Sequence, residues 1–279
     1  MKKKILTIIT IACLVVAFCA TPVLAATGSR VAIGVDNTED QLATVYQFFR
    51  IGRGTVPEIQ VTNAEERQYL NGLVSEEKIG NVALSCVYIE TRDSGGIELE
   101  TYNINYITED MYKNALATAG ITDAKVIVAA YKPVSGTGAL TGIYKAYEDI
   151  TGTAIEETVK SVATEELIVT GDLQNVLGEA SPEFMNDLKA KLELTKNMTD
   201  DEIRQLIVDT AADYDATLTA DQIEQILGLI KQMNDLGVDP ETFIKLAETG
   251  EKVEGFFATV GNFFKGIGDF FSGLFGGNK

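Results

Sequence analysis

The residues best placed to do chemistry are Ser135, Gly136, Thr137 and Gly138, with Lys132 just ahead of them. They follow a short apolar run, Lys125 to Ala130, and precede a stretch with helical spacing from about Ala139 to Asp149. Backbone N–H groups left free at a helix start can cradle an anion, and Lys132 would add one positive charge. The spacing is not that of a nucleotide-binding P-loop, because no Lys-Ser or Lys-Thr pair follows where one is needed. The same residues also read as a plain helix start, with Ser135 or Thr137 as the cap and the glycines shaping the turn.

A second group mimics a calcium loop. Asp213, Asp215, Thr217, Thr219, Asp221 and Glu224 fall on the ligand positions of an EF-hand, but Leu218 stands where the sharp turn wants glycine. A solvated acidic loop with Thr219 capping the next helix is the better reading. Histidine is absent, which excludes Ser-His-Asp and Cys-His catalysis and His-ligated zinc. Of the three cysteines, Cys13 and Cys19 lie in an N-terminal leader and Cys86 lies in an apolar strand, where it reads as a small buried hydrophobe. No catalytic residue, metal site or cofactor is expected. Chemistry based on carboxylates alone survives, but 41 acidic residues give no pair to prefer.

The elements that would hold these residues come next. Arg30 to Val35 and Glu58 to Val61 are short strand candidates. Thr38-Glu39-Asp40-Gln41 and Thr62-Asn63-Ala64-Glu65 are capping boxes. Val82 to Glu90 is apolar enough for a buried strand, and Asp93-Ser94-Gly95-Gly96 supplies turn residues. Ile97 to Tyr106 then alternates, so the two runs predict a hairpin. Thr108 predicts a helix with Glu109 and Asp110 in its first turn, ending at Gly120. Beyond Gly152 strand-like runs vanish. Helices are expected from Thr153 to about Val169, after Ser181-Pro182, after Thr199 and after Thr219, with a short one from Asp239 toward Gly250. The expected fold is α+β: a leader over 1–25, a mixed α/β domain with a hairpin-containing sheet over 26–152, a helical bundle over 153–250 and an amphipathic tail over 251–279.

Lys2, Lys3 and Lys4, an apolar run from Ile5 to Ala20, and Val23-Leu24-Ala25 have the layout of a secretory signal peptide cleaved after Ala25. The formal charge of −18 would become −21 on losing three lysines, which opposes nucleic-acid binding. Near the other end, Phe256, Phe257, Phe263, Phe264, Phe270, Phe271, Leu274 and Phe275 step at helical spacing, with Val253, Val260 and Ile267 between them. The stripe would be roughly 35 Å long as a helix. It suits a membrane interface, a second copy or the chain's own domain.

The words Thr62 to Leu70 with Ile79-Gly80, Asn114 to Ile121, and Val126 to Ala130 with Pro133 to Thr137 and Ala139 to Ile143 carry a resemblance. In that order they resemble the family catalogued as domain of unknown function 1002, the YpuA-like secreted proteins of Gram-positive bacteria. The resemblance implies a secreted or envelope-associated protein and carries over no catalytic residue. Together these features lead to the expectation of a secreted, non-enzymatic, cell-envelope-associated binding protein that contacts membrane or a partner through residues 253–275. The alternative is a carboxylate-only hydrolase acting on cell-wall glycan.

Overall fold

The computed structural model describes residues 28–241. The leader, the aromatic stripe and the short helix expected from Asp239 toward Gly250 lie outside them, apart from the first residues of the last.

The chain opens with β1 (Ser29–Gly34), α1 (Glu39–Phe49) and β2 (Glu58–Val61), followed by α2 (Asn63–Leu70) and a single turn, α3 (Glu76–Ile79). Next come β3 (Cys86–Thr91), β4 (Ile97–Ile104), α4 (Glu109–Thr118), β5 (Ala124–Val134) and α5 (Ala139–Thr151). Helices α6 (Glu157–Leu177), α7 (Ser181–Lys189), α8 (Leu192–Thr195), α9 (Asp200–Ala212) and α10 (Ala220–Leu236) complete it. The helix starts are where local chemistry places them. Thr38, Thr62, Thr199 and Thr219 each form a reciprocal capping box, and Thr108 caps α4. These caps satisfy N–H groups that a helix's first turn otherwise leaves open.

The five strands form one mixed sheet in the order β2-β1-β3-β5-β4. Strands β1 and β2 are parallel, as are β4 and β5, while β3 runs against both of its neighbours. The expected hairpin is therefore not formed, because β5 lies between β3 and β4. The reason is burial. Val126, Ile127, Val128, Ala129 and Ala130 are all buried, so β5 needs cover on both faces and takes a central place. β4 has Ile97 and Leu99 inward, and it carries Glu98, paired with Arg92, and Glu100, paired with Arg50, as suits an edge. The Gly95-Gly96 turn passes the start of β5 instead of closing a hairpin. Asp123 pins it there, accepting from Gly96 N at 2.9 Å through Oδ1 and from Arg92 N at 3.0 Å through its carbonyl.

Each face of the sheet has its own cover. Cys86, Tyr88, Ile127 and Ala129 pack under Leu42, Val45, Tyr46 and Phe49 of α1. Val87, Ile89, Val126 and Val128 pack against α4, α5 and the first half of α6. The second half of α6 joins α7 to α10 in a separate apolar core built on Leu173, Phe184, Leu188, Ile207 and Ile230. One helix thus serves both cores, with Ala163 and Leu167 on the sheet side and Val169 and Leu173 on the bundle side. It also runs past Val169, where its sequence pattern weakens at Gly171. That glycine lets Tyr106 approach, since a Cβ there would lie 2.7 Å from the tyrosine oxygen.

Candidate functional site

Strands β1, β4 and β5 all end on the same edge of the sheet, and β3 begins there. Ligands of α/β sheets bind outside such carboxyl ends. A cavity of about 530 Å³ lies at this edge. Its walls are Val134 and Ser135, Thr137 and Gly138 at the end of β5; Asn105 and Tyr106 after β4; and Leu84 and Ser85 before β3. Glu66 of α2 and the α3 turn, with Glu77, Lys78 and Ile79, close it.

The Ser135–Gly138 segment is built from the inside. Gly136 sits at φ +88°, and a Cβ there would come within 2.5 Å of Ile104 and 2.6 Å of the Tyr112 oxygen. Tyr112, fully buried, donates to the Gly136 carbonyl at 2.5 Å and fixes the turn. Ser135 Oγ donates to the Lys78 carbonyl at 3.2 Å and lies 3.2 Å from Thr137 Oγ1, tying this segment to α3. Neither Ser135 nor Thr137 caps α5, contrary to expectation. The N-cap is Gly138, which makes no side-chain cap bond.

The group that meets this helix start is Glu66. A Cβ on Gly138 would lie 2.2 Å from Glu66 Oε1, so glycine is required for the carboxyl to reach the helix end. Glu66 is only 4% exposed, and burial pushes its carboxyl up to about 7. Asp36 and Glu65 push the same way, while a hydrogen bond from Asn63 and the charge of Arg67 oppose them. Asn63 Nδ2 donates to Oε2 at 3.1 Å. Asn63 Oδ1 accepts from Arg67 Nε at 2.9 Å, and Arg67 reaches the Gly80 carbonyl at 2.7 Å. These three side chains share one face of α2 by their spacing.

Lys78 is committed elsewhere. Its Nζ lies 2.9 Å from Asp172 of α6 and 3.1 Å from the Tyr106 hydroxyl, and Tyr106 donates to Asp172 at 2.6 Å. Burial and Asp172 push the Tyr106 phenol up to about 12.

Of the residues singled out in the sequence, Ser135, Thr137 and Gly138 line the cavity, and Gly136 shapes its wall. Lys132 does not reach it; it is exposed, with Nζ 5.4 Å from the centre of its neighbour Tyr131's ring. The aromatic residues from Phe256 to Phe275 lie outside the described residues. In the acidic loop, Thr219 caps α10 and Glu224 pairs with Arg204 at 2.6 Å. Sequence reasoning passed over Glu66. Its one legible signal was the Asn63, Glu66, Arg67 face beside a capping box.

The fold and this edge define an α+β protein with a cavity of mixed polar and apolar lining at the carboxyl ends of a mixed five-stranded sheet. The chain belongs to the family described as "Protein of unknown function (DUF1002)", whose model matches residues 33–249. It is 38% identical over 213 residues to the Bacillus subtilis (strain 168) protein named "Uncharacterized protein YpuA", covering 75% of this chain and 73% of the relative. No solved structure matches it.

Proposed function

We propose that the chain is an exported, cell-envelope-associated binding protein that holds a small polar molecule in the Glu66 cavity and contacts membrane or a second copy through residues 253–275. The observation that carries this reading is the cavity. Its volume falls in the range that small ligands occupy, and hydroxyl, amide and carboxyl groups converge on it. The leader-like residues 1–25 and the amphipathic spacing of the tail supply the envelope half of the reading. No helix of the described residues is long and apolar enough to cross a membrane.

The envelope half is tested by co-sedimenting residues 26–279 and 26–250 with liposomes, with size exclusion alongside. The reading expects the longer chain alone to pellet with lipid or to run as an oligomer. Two soluble monomers would overturn it. The cavity half is tested by titrating small polar solutes into ¹⁵N-labelled protein and following the amides of Gly80, Ser135, Thr137 and Gly138. A panel that moves none of them overturns it.

A second reading, a carboxylate-only hydrolase acting on wall glycan, is favoured by one observation. Glu66 and Glu77 line the same cavity, and Glu66 lies near 7, where a carboxyl can act as a general acid. Release of reducing ends from purified wall glycan, lost in Glu66→Gln, would support it.

A further inference from the structure

Resting on the cavity reading above, we infer that the site takes a small primary-amine ligand whose ammonium group docks on Glu66 Oε1, with Glu77 as the second carboxylate and the Ser135 and Thr137 hydroxyls beside it.

The argument begins with the charges in the wall. Lys78 is the basic side chain there, and Asp172 and Tyr106 already hold it. Glu66 and Glu77 remain, and neither makes an ion pair among the described residues. The cavity therefore presents two carboxyl groups against a lysine that is already neutralised. The chain's formal charge of −18 adds a field of the same sign.

The second step is hydrogen bonding. Glu66 Oε2 accepts from Asn63, but no described residue donates to Oε1. Oε1 lies against the bare Cα of Gly138, at the cavity wall. Oε1 keeps some accessible surface, since it is not among the fully buried oxygens left without a partner, so an N⁺–H donor entering the cavity can reach it and meet both its charge and its lone pair. A divalent cation is a poorer fit, since no group of three or more carboxylate, histidine or cysteine side chains that could hold a metal exists among the described residues. A free anion is also a poorer fit, because Glu66 already brings a carboxyl to the start of α5. The sign of the site is thus opposite to the one that Ser135–Gly138 suggests in isolation.

The third step is proton linkage. The groups that act on Glu66 are Asp36, Glu65, Arg67 and Asn63. Glu77 and Lys78 belong to the same cavity wall. Burial, opposed by Asn63 and Arg67 and reinforced by Asp36 and Glu65, holds the carboxyl near 7. An ammonium group favours the ionised carboxylate, so binding releases a proton. If only the ionised form binds, affinity rises roughly tenfold between one pH unit below that value and one above it.

The experiment uses the full mature chain, residues 26–279, ¹⁵N-labelled, with four probes: ethanolamine, ethylene glycol, inorganic phosphate and calcium chloride. The expected result is a saturable shift of the Ser135, Thr137 and Gly138 amides with ethanolamine alone, roughly tenfold tighter at pH 8 than at pH 6. Glu66→Gln is expected to abolish both the shift and the pH dependence, with spectra elsewhere unchanged. Should that variant unfold, Glu77→Gln provides the check, with ethanolamine binding weakened but its pH dependence kept. Shifts caused by phosphate or ethylene glycol but not by ethanolamine would overturn the amine while leaving the cavity reading intact. Calcium binding without ethanolamine binding would do the same. Silence from all four probes would overturn both.

Discussion

The pair Lys189 and Glu166 is the most exposed to a decisive test of how this fold is held. Lys189 on α7 and Glu166 on α6 meet at 2.5 Å, and their side chains are 0% and 1% exposed. Thr118 of α4 donates to the other Glu166 oxygen at 2.5 Å, and Lys189 also donates to the Asn114 carbonyl at 3.4 Å. Burial pushes the Lys189 amine down and Glu166 pulls it back, so the contact offsets part of what burial costs the lysine's charge. Removing one partner strands the other in the interior, which costs about 3–5 kcal/mol. Lys189→Met and Glu166→Leu should each lose about that much. The double variant should lie within about 1 kcal/mol of the parent, since apolar replacement of a whole buried pair is often neutral or stabilising. Thr118 keeps a partner in the double variant because its hydroxyl also lies 3.1 Å from the Asn114 carbonyl. Urea unfolding followed by circular dichroism on the four proteins measures the cycle. The two single losses together come to roughly 6–10 kcal/mol, against almost none for the pair, a coupling far outside additivity. Single losses below about 1 kcal/mol that simply add would refute the argument and make the pair a solvated contact.

Other expectations can be read from the same structure. Glu66 should make the fold weaken as pH rises: its folded carboxyl lies near 7, above the ordinary 4.5, so stability is fullest below pH 4.5 and declines to about pH 7. At about 1.4 kcal/mol per pKa unit the decline is about 3 kcal/mol, and Glu66→Gln should remove it in urea unfolding at pH 5 and pH 8. Gly34→Ala should cost about 1–3 kcal/mol, because its Cβ would come 2.2 Å from the Ala83 carbonyl oxygen, a backbone atom that cannot swing aside. Thr219→Ala should cost about 1 kcal/mol through loss of the α10 capping box, read as a lower urea midpoint. The Cys86 thiol, fully buried and pushed up to about 12, should stay silent to a thiol reagent at pH 8 until urea is added.

Much of the fold was legible because much of it is local. A capping box needs four residues, and Thr38 and Thr62 each announce one that forms, while Thr199 and Thr219 announce helix starts where two more form. Strand β2 is read correctly to the residue, Glu58 to Val61. The buried character of Cys86 follows from its apolar run. What was not legible depends on partners distant in the chain. Ser135 and Thr137 looked like caps, yet their hydroxyls lie within hydrogen-bond distance of each other, and Ser135 donates to the Lys78 carbonyl, 57 residues away. Gly171 weakened the pattern of α6, and its use as a seat for Tyr106 is visible only once β4 is placed. Glu66 sits in a helix rich in polar residues, where its face with Asn63 and Arg67 is the one local signal and its burial against Gly138 depends on a residue far along the chain.

The missed hairpin and the cavity have one cause. Pairing β3 with β4 directly would have put β5 at an edge, where Val126 to Ala130 could not be covered on both faces. Placing β5 between β3 and β4 solves that burial problem, and it also decides where the segment after β5 must lie. Ser135 to Gly138 then emerge between the start of β3, with Leu84 and Ser85, and the end of β4, with Asn105 and Tyr106. At an edge the same Gly-rich helix start would have opened to water as a bare anion cradle, which is how it reads in isolation. Between β3 and β4 it is walled on both sides, and α2 can bring Glu66 against Gly138. The apolar content of β5 therefore sets the strand order. The strand order encloses the helix start, and the enclosed carboxyl reverses the sign of the ligand that the start would otherwise attract.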